Sequence, residues 1–236
     1  MERIPRKRRI RPIEAWRAIR ALLRDPDDTG QVFRIIDALS GNSGEKTFLR
    51  FREDPTGARI LREQRSLLET LSDRAALEAL PEGSLGRTYA AFVSREQISA
   101  DGLVEASREG SAIDLGPERR LFGDRIRDMH DLWHVVTGYG RDLAGESALL
   151  AFSFAQTRNP GVGFIVAVAW LKAGDRAGRR LILDGYRRGR RAAWLPAMDW
   201  EALLARPLDE VRRELRVGTP PQYAPVRSAG APQIAY

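Results

Sequence analysis

The chain has 236 residues, no cysteine and a formal net charge of +7, because 39 Lys and Arg residues outnumber 32 Asp and Glu residues. The absence of cysteine excludes disulfides and zinc–thiolate sites, so only histidine and carboxylate side chains are left as ligands for a metal. No stretch approaches the roughly eighteen apolar residues of a membrane span, and the first residues lack the apolar centre of a secretory signal. We therefore expect a cytoplasmic protein.

The N-terminal part of the chain is basic. Residues 1–11 are predicted to form a disordered arm, and Pro12 is suited to the first position of a helix. Ile13, Trp16 and Leu23 then follow at helical spacing. This amphipathic basic helix could lie on a membrane, although packing against the domain is our preferred interpretation.

Helical spacing of apolar residues continues along much of the chain. It predicts helices within residues 32–39, 58–80 and 85–92, separated by turn signals. Residues 98–117 predict helices only weakly. We find no alternating strand pattern, repeat or linker, so we predict an all-α fold, a single-domain multi-helix bundle over residues 12–217. A Pro-rich tail, residues 218–236, follows it.

The two histidines of the chain, His130 and His134, are four residues apart. On a helix this spacing places both imidazoles on one face, where they can converge on one point. Residues 138–140 predict the end of that helix, and Asp142 predicts the cap of the next one. The turn would bring back Glu146, a carboxylate on an apolar face that needs a metal or an arginine as its partner.

The same residues also allow simpler interpretations. Two histidines at this spacing are often hydrogen-bonded core residues. Asp131 could be a further metal ligand or an acceptor that fixes an imidazole tautomer. Ligation by oxygen and nitrogen leaves zinc, iron, manganese and magnesium possible.

Two later segments could carry binding surfaces. Residues 162–171 are apolar on every side, which predicts a central core helix, with a strand or the wall of a ligand cavity as alternatives. Residues 179–194 predict an amphipathic helix with a basic face. That face could meet lipid phosphate or an anionic partner, although a solvated surface is the common explanation. Its arginines are Arg187, Arg188, Arg190 and Arg191.

Three segments in the same order resemble the ubiquinone (coenzyme Q) biosynthesis protein family Coq4, and the likeness runs from about Leu80 to Val217. The segments are His130-Asp131-x-x-His134 followed after eleven residues by Glu146, Pro81-x-Gly83-Ser84-Leu85-Gly86-Arg87-x-Tyr89-Ala90, and Trp200-Glu201-x-Leu203-Leu204-x-x-Pro207-Leu208-x-x-Val211-Arg212-x-x-Leu215. The long basic N-terminal region and the arginine-rich surface depart from the family pattern.

The resemblance implies an all-helical fold, a divalent metal usually taken as Zn2+, and a pocket for a polyprenylated ring precursor. By the family pattern, the metal-site and catalytic residues would be His130, Asp131, His134 and Glu146. Family members are regarded as organisers of the ubiquinone-making complex, or as catalysts that replace the ring carboxyl group of the precursor with hydroxyl. Our candidates for the wall of the prenyl pocket, each also explicable as core, are Leu149, Leu150, Phe152, Phe154, Phe164 and Trp170.

These observations leave two main hypotheses. The first is a metal-dependent enzyme acting on a polyprenylated hydroxybenzoate. The second is a non-catalytic, prenyl-lipid-binding scaffold that gathers other ubiquinone biosynthesis proteins on the inner face of the membrane. A phosphohydrolase of the His-Asp type is disfavoured because it needs a further histidine. Nucleic-acid binding is disfavoured because the arginines are dispersed. A homodimer is left open.

Overall fold

The computed structural model describes residues 9–25, 28–97 and 116–226, and within these ranges the regular structure is helical, without β-strands. This confirms the predicted all-α class, while an apolar ligand cavity remains a prediction. Most of the segment 98–117 lies outside the described residues. The α-helices are α1 (Pro12–Leu22), α2 (Thr29–Leu39), α3 (Ser43–Glu53), α4 (Pro55–Glu63), α5 (Leu67–Ser72), α6 (Arg74–Glu78), α7 (Leu85–Arg95), α8 (Pro117–Asp128), α9 (His130–Thr137), α10 (Leu143–Thr157), α11 (Pro160–Lys172), α12 (Arg176–Arg191), α13 (Trp200–Leu203) and α14 (Leu208–Leu215), with a 3-10 turn at Leu195–Ala197.

Local sequence signals set the bounds of these helices. Pro12 is the first residue of α1, as predicted. The carboxylates of Asp73, Asp142 and Asp199 accept backbone hydrogen bonds at the starts of α6, α10 and α13. Helix α9 ends at Thr137 and is followed by Gly138, whose φ of +76° suits a residue without a Cβ atom.

Two helices, α8 and α9, meet directly before the histidines. Helix α8 ends at Asp128 and α9 begins at His130, because Met129 between them adopts φ −76° and ψ −5°. Backbone hydrogen bonding continues across the junction, since the amide of Trp133 donates to the carbonyl of Met129 at 3.0 Å. Met129, Trp133 and Val136 are apolar residues of this segment and are buried.

The largest core cluster surrounds α9. Residues of α7, α9, α10 and α14 contribute to it, with Leu132 and Val136 of α9 fully buried. Helix α12 packs closely on α10, because Gly185 leaves room for the backbone of α10. A Cβ atom at Gly185 would lie 2.3 Å from the carbonyl oxygen of Ala148. The histidine helix is thus held inside a tightly packed frame.

Helix α11 does not lie at the centre of the core, so this prediction is wrong, and so is the alternative of a strand. Gly161, Val162 and Ile165 are buried, and Ile165 joins a smaller cluster shared with α1 and α2. The other side faces outward, leaving Trp170 36% and Leu171 68% exposed. Within the described ranges, no helix combines the length and apolar composition required to cross a bilayer.

Candidate metal centre

The side chains of His130, His134 and Glu146 meet at the junction of α9 and α10. The Nε2 atoms of the two histidines are 3.3 Å apart. Glu146 places Oε1 3.3 Å from Nε2 of His134 and Oε2 3.7 Å from Nε2 of His130. The potential ligand atoms all lie within 4.8 Å of one another. The convergence predicted from sequence spacing is therefore present in the fold.

The turn between α9 and α10 brings Glu146 back to the histidines. Gly138 ends α9 in the left-handed conformation, and a Cβ atom there would lie 2.5 Å from Cβ of Pro220. Asp142 then accepts hydrogen bonds from the amides of Ala144 and Gly145, which starts α10. Both signals are local, which is why the sequence could predict them.

A backbone hydrogen bond orients the imidazole of His134. Its Nδ1 atom lies 2.9 Å from the carbonyl oxygen of Tyr139, so Nδ1–H is the donor and Nε2 is directed at the cluster. The ring of Phe92 stacks on the same imidazole, with the two ring centroids 5.6 Å apart. Sequence reasoning missed both contacts, although Tyr139 lies within the predicted turn.

The charges of His134 and Glu146 are coupled. Burial lowers the pKa of His134, but the nearby Glu146 carboxylate outweighs it, so the pKa lies above its ordinary value. Burial raises the pKa of Glu146, but His134 and His130 outweigh that effect and hold it well below its ordinary value. Glu146 is therefore ionised. The side chains of His130 and Glu146 are 27% and 29% exposed, so a cation can reach the cluster.

Asp131 is buried beside the cluster but does not belong to its converging set. It is 3% exposed, and its Oδ1 atom has no hydrogen-bond partner among the described residues. Burial lowers the pKa of His134, and the charge of Asp131 adds to the stronger effect of Glu146 in raising it. It also adds to the raised pKa of Tyr89, of which burial is the larger cause. Direct metal ligation by Asp131 stays a prediction.

Arg141 is a further charged group at the cluster that the motif did not predict. Its Nε atom is 3.8 Å from Oε1 of Glu146, and its side chain is 31% exposed. The sequence predicts only that Glu146, a carboxylate on an apolar face, needs a metal or an arginine as its partner, and it does not say which arginine. The structure brings an arginine near Glu146 and leaves the histidine nitrogens facing the same carboxylate.

The C-terminal segment 218–226 packs over the α9–α10 turn. The hydroxyl of Tyr223 accepts a hydrogen bond from the Gly140 amide and donates one to Asp142, each at 2.8 Å. The amide of Leu143 donates to the carbonyl of Val226 at 2.7 Å. The first part of the predicted tail thus supports the turn that carries the site, and residues 227–236 lie outside the described part of the chain.

The residues predicted to bind a prenyl chain lie in three different surroundings. Leu149 and Phe152 are fully buried in the largest core cluster, while Leu150 and Phe164 pack against the cluster of α1, α2 and α11. The other two are Phe154, which stacks on Tyr186, and the partly exposed Trp170. Prenyl binding by these residues stays a prediction.

The basic face of α12 is smaller than predicted. Arg187, Arg190 and Arg191 are exposed. Arg188 turns inward, where its Nε donates to the carbonyl of Val217 at 2.9 Å and its Nη2 to that of Thr137 at 2.8 Å. Assigning Arg188 to a membrane-facing surface is therefore wrong, because the carbonyls of Thr137, at the end of α9, and of Val217, after α14, accept its hydrogen bonds.

Two imidazole nitrogens and an ionised carboxylate fit a divalent cation of the first transition row. The Oδ1 atom of Asp131, which has no hydrogen-bond partner among the described residues, could either coordinate the cation or accept a hydrogen bond from a bound water. Fold and cluster together define an all-α protein with a candidate two-histidine, one-carboxylate metal centre on a helical hairpin.

The family model described as coenzyme Q (ubiquinone) biosynthesis protein Coq4 matches residues 13–221. The chain belongs to this family.

Curated relatives include fungal proteins named ubiquinone biosynthesis protein coq4, mitochondrial. The protein of Aspergillus clavatus is 36% identical over 178 residues, which is 74% of this chain and 61% of the relative. That of Aspergillus terreus is 36% identical over 177 residues, or 74% of this chain and 60% of the relative. The chain thus spans about three fifths of these relatives. Their names do not support the cytoplasmic location expected from the sequence.

A solved structure supports the fold. The crystal structure of a protein from Nostoc punctiforme, described as a ubiquinone biosynthesis protein, superposes with a TM-score of 0.65. It is 23% identical and covers 89% of this chain and 100% of its own. At this identity, the comparison shows the shared fold alone.

Proposed function

We propose that the chain binds a divalent cation through His130, His134 and Glu146 and acts on the ring carboxyl group of a polyprenylated hydroxybenzoate-type precursor of ubiquinone. Zinc is the first choice, and iron, manganese and magnesium are the alternatives. The observation that carries the proposal is the convergence of two imidazole Nε2 atoms and an ionised carboxylate within 4.8 Å. Membership of the Coq4 family supports a precursor of ubiquinone as the class of substrate.

The proposed reaction replaces the ring carboxyl group with hydroxyl and releases carbon dioxide. One oxygen atom of molecular oxygen enters the product, and the other is reduced to water with two electrons and two protons from an external reductant. A bound cation would act as a Lewis acid that polarises a carboxylate or phenolate oxygen. The hydrogen bond from His134 to Tyr139 fixes the imidazole orientation, so the ligand geometry exists before substrate binds.

Arg141 is suited to orient the substrate. Its guanidinium is partly exposed next to Glu146, and a guanidinium binds a carboxylate through two parallel hydrogen bonds. We propose that it binds the ring carboxyl group. An Arg141→Gln variant is then expected to raise KM for the carboxylated precursor and to retain its metal.

The scaffold hypothesis is the second candidate, in which the chain binds a prenyl lipid and other ubiquinone biosynthesis proteins without turnover. Both hypotheses require space for a prenyl chain, so the burial of Leu149 and Phe152 in the core does not favour either of them. A core filled by side chains leaves less space for a prenyl chain at that point in both cases.

Metal content tests the first proposal. Protein without a His-tag would be analysed by elemental mass spectrometry beside His130→Ala, His134→Ala and Glu146→Gln, with the exposed Glu214→Gln as matched control. We expect about one metal per chain in the wild type and the control, and little in the other three variants. The loaded protein would then be assayed with a prenylated hydroxybenzoate, oxygen and a reductant.

A folded wild-type chain that remains metal-free with zinc, iron and manganese offered would overturn the metal proposal. Metal binding without turnover, together with prenyl-lipid binding that survives loss of both histidines, would support the scaffold instead.

A further inference from the structure

Helix α1 carries apolar residues on its outer side as well as on its inner side. Ala15, Ala18 and Ile19 are buried against the domain. Ile13 is 70% and Trp16 59% exposed. With the exposed Leu23 just beyond α1, they follow helical spacing and form one stripe, which we call the outer face of α1. A surface helix ordinarily turns its large apolar residues inward, so this second, exposed apolar face requires an explanation.

The apolar stripe is accompanied by arginines available for an external partner. Arg17, Arg20 and Arg24 are exposed and form no ion pair with a carboxylate in the described ranges. By contrast, Arg11 on the same segment pairs with Glu14 and Asp37. The basic segment 1–11 precedes this helix directly and adds further positive charge.

We propose that the outer face of α1 docks onto an anionic lipid bilayer, with Trp16 and Ile13 inserted at the interface and the arginines bound to lipid phosphates. Apolar insertion and charge attraction together are what interfacial helices require. A second copy fits less well, because a symmetric dimer would place this arginine-rich face against itself. The proposal goes beyond the metal-dependent function and uses none of the cluster residues.

The basic face of α12 provides an internal comparison. Leu183 is the large apolar residue of α12 that is exposed, with an exposed fraction of 43%. Arg187 is paired with Asp184 at 2.9 Å, and Arg188 is directed into the protein. This face therefore offers less exposed apolar area for insertion into a bilayer than α1 does, although Arg190 and Arg191 are exposed on it.

Vesicle co-sedimentation tests the assignment on the full chain. The vesicles would be phosphatidylcholine with about 30% phosphatidylglycerol, with pure phosphatidylcholine as the neutral comparison. The variants are Trp16→Glu and, as matched control, Leu183→Glu. We expect Trp16→Glu to weaken binding at least about tenfold, since one inserted apolar side chain is lost. Leu183→Glu should bind like the wild type.

Charge dependence gives a second measurement. Arg17→Gln/Arg20→Gln/Arg24→Gln should also lose binding to anionic vesicles, and raising NaCl from about 0.1 M to about 1 M should weaken wild-type binding. Circular dichroism and zinc content measured on each variant separate loss of docking from loss of fold or of the metal centre. The variants are expected to match the wild type in both, because the substituted side chains are exposed.

Equal vesicle binding by the wild type and Trp16→Glu would overturn the proposal. A loss of vesicle binding in Leu183→Glu without a loss in Trp16→Glu would also overturn it. A dimer detected by sedimentation velocity, absent in Trp16→Glu and accompanied by no vesicle binding, would assign the face to a second copy.

Discussion

The Nδ1 atom of His134 lies 2.9 Å from the carbonyl oxygen of Tyr139, so a fully buried imidazole is oriented by the turn that follows its own helix. That carbonyl is held in place by the left-handed Gly138 and by the C-terminal segment, which contacts the turn through Pro220 and Tyr223. The geometry of the cluster therefore depends on residues that bind no metal themselves.

Gly138→Ala tests this dependence. An alanine would have to adopt φ of +76° and would meet Pro220, so we expect a loss of about 1–3 kcal/mol in the free energy of unfolding. Zinc affinity should fall as well, because the Tyr139 carbonyl shifts away from His134. Urea unfolding and isothermal titration with zinc would measure the two effects. Gly174→Ala, where no atom lies within 4 Å of the added Cβ, is the control and should change neither.

Arg212 stabilises the end of the histidine helix. Its Nη2 and Nε atoms donate to the carbonyls of Val135 and Val136 at 3.0 and 3.1 Å. Arg212→Met should lower the free energy of unfolding by about 1–3 kcal/mol, because two carbonyls lose charged donors. The adjacent Arg213→Met should be neutral, since that side chain is exposed. Equal denaturation midpoints for the two variants would contradict this role.

Arg125 and Glu201 form a buried ion pair. Arg125 is 1% exposed, and its two terminal nitrogens donate to the two carboxylate oxygens at 2.7 and 2.5 Å. Glu201→Ala should destabilise the fold by about 3–5 kcal/mol, because it strands a buried charge. The double variant Arg125→Met/Glu201→Leu should recover much of that loss in thermal unfolding. A double variant no more stable than Glu201→Ala would show that the charge is not the cause.

Asp199 gives stability a pH dependence. Burial raises its pKa, but hydrogen bonds from Arg65 outweigh this and hold it below the ordinary value. A carboxyl group with a lowered folded-state pKa stabilises the fold above its unfolded pKa of about 3.9, and that contribution is lost as pH falls through the folded value.

The Asp199→Asn variant tests the sign. The variant should be less stable than the wild type near about pH 7, with a difference that shrinks below about pH 4. Urea unfolding at several pH values would measure it, with the exposed Asp184→Asn as the control. A difference that is constant across this range would contradict the pKa argument.

The sequence by itself determined the all-α class and the approach of His130, His134 and Glu146. Both follow from interactions between neighbours along the chain: helical periodicity, a glycine that ends α9 and an aspartate that starts α10. The division between α8 and α9 at Met129 depends on a single backbone angle, for which no residue type gives a signal.

Tertiary structure alone decided which faces are covered. The apolar composition of α11 is typical of a core helix, but α2 and α10 pack against one side of it and leave Trp170 and Leu171 exposed. Arg188 shares a helix with exposed arginines and turns inward, because distant carbonyls of Thr137 and Val217 lie within its reach. The contact of Tyr139 with His134 likewise depends on the three-dimensional path of a turn. Burial and hydrogen-bond partners of this kind are set by residues far apart in the chain, and a single sequence carries no local record of them.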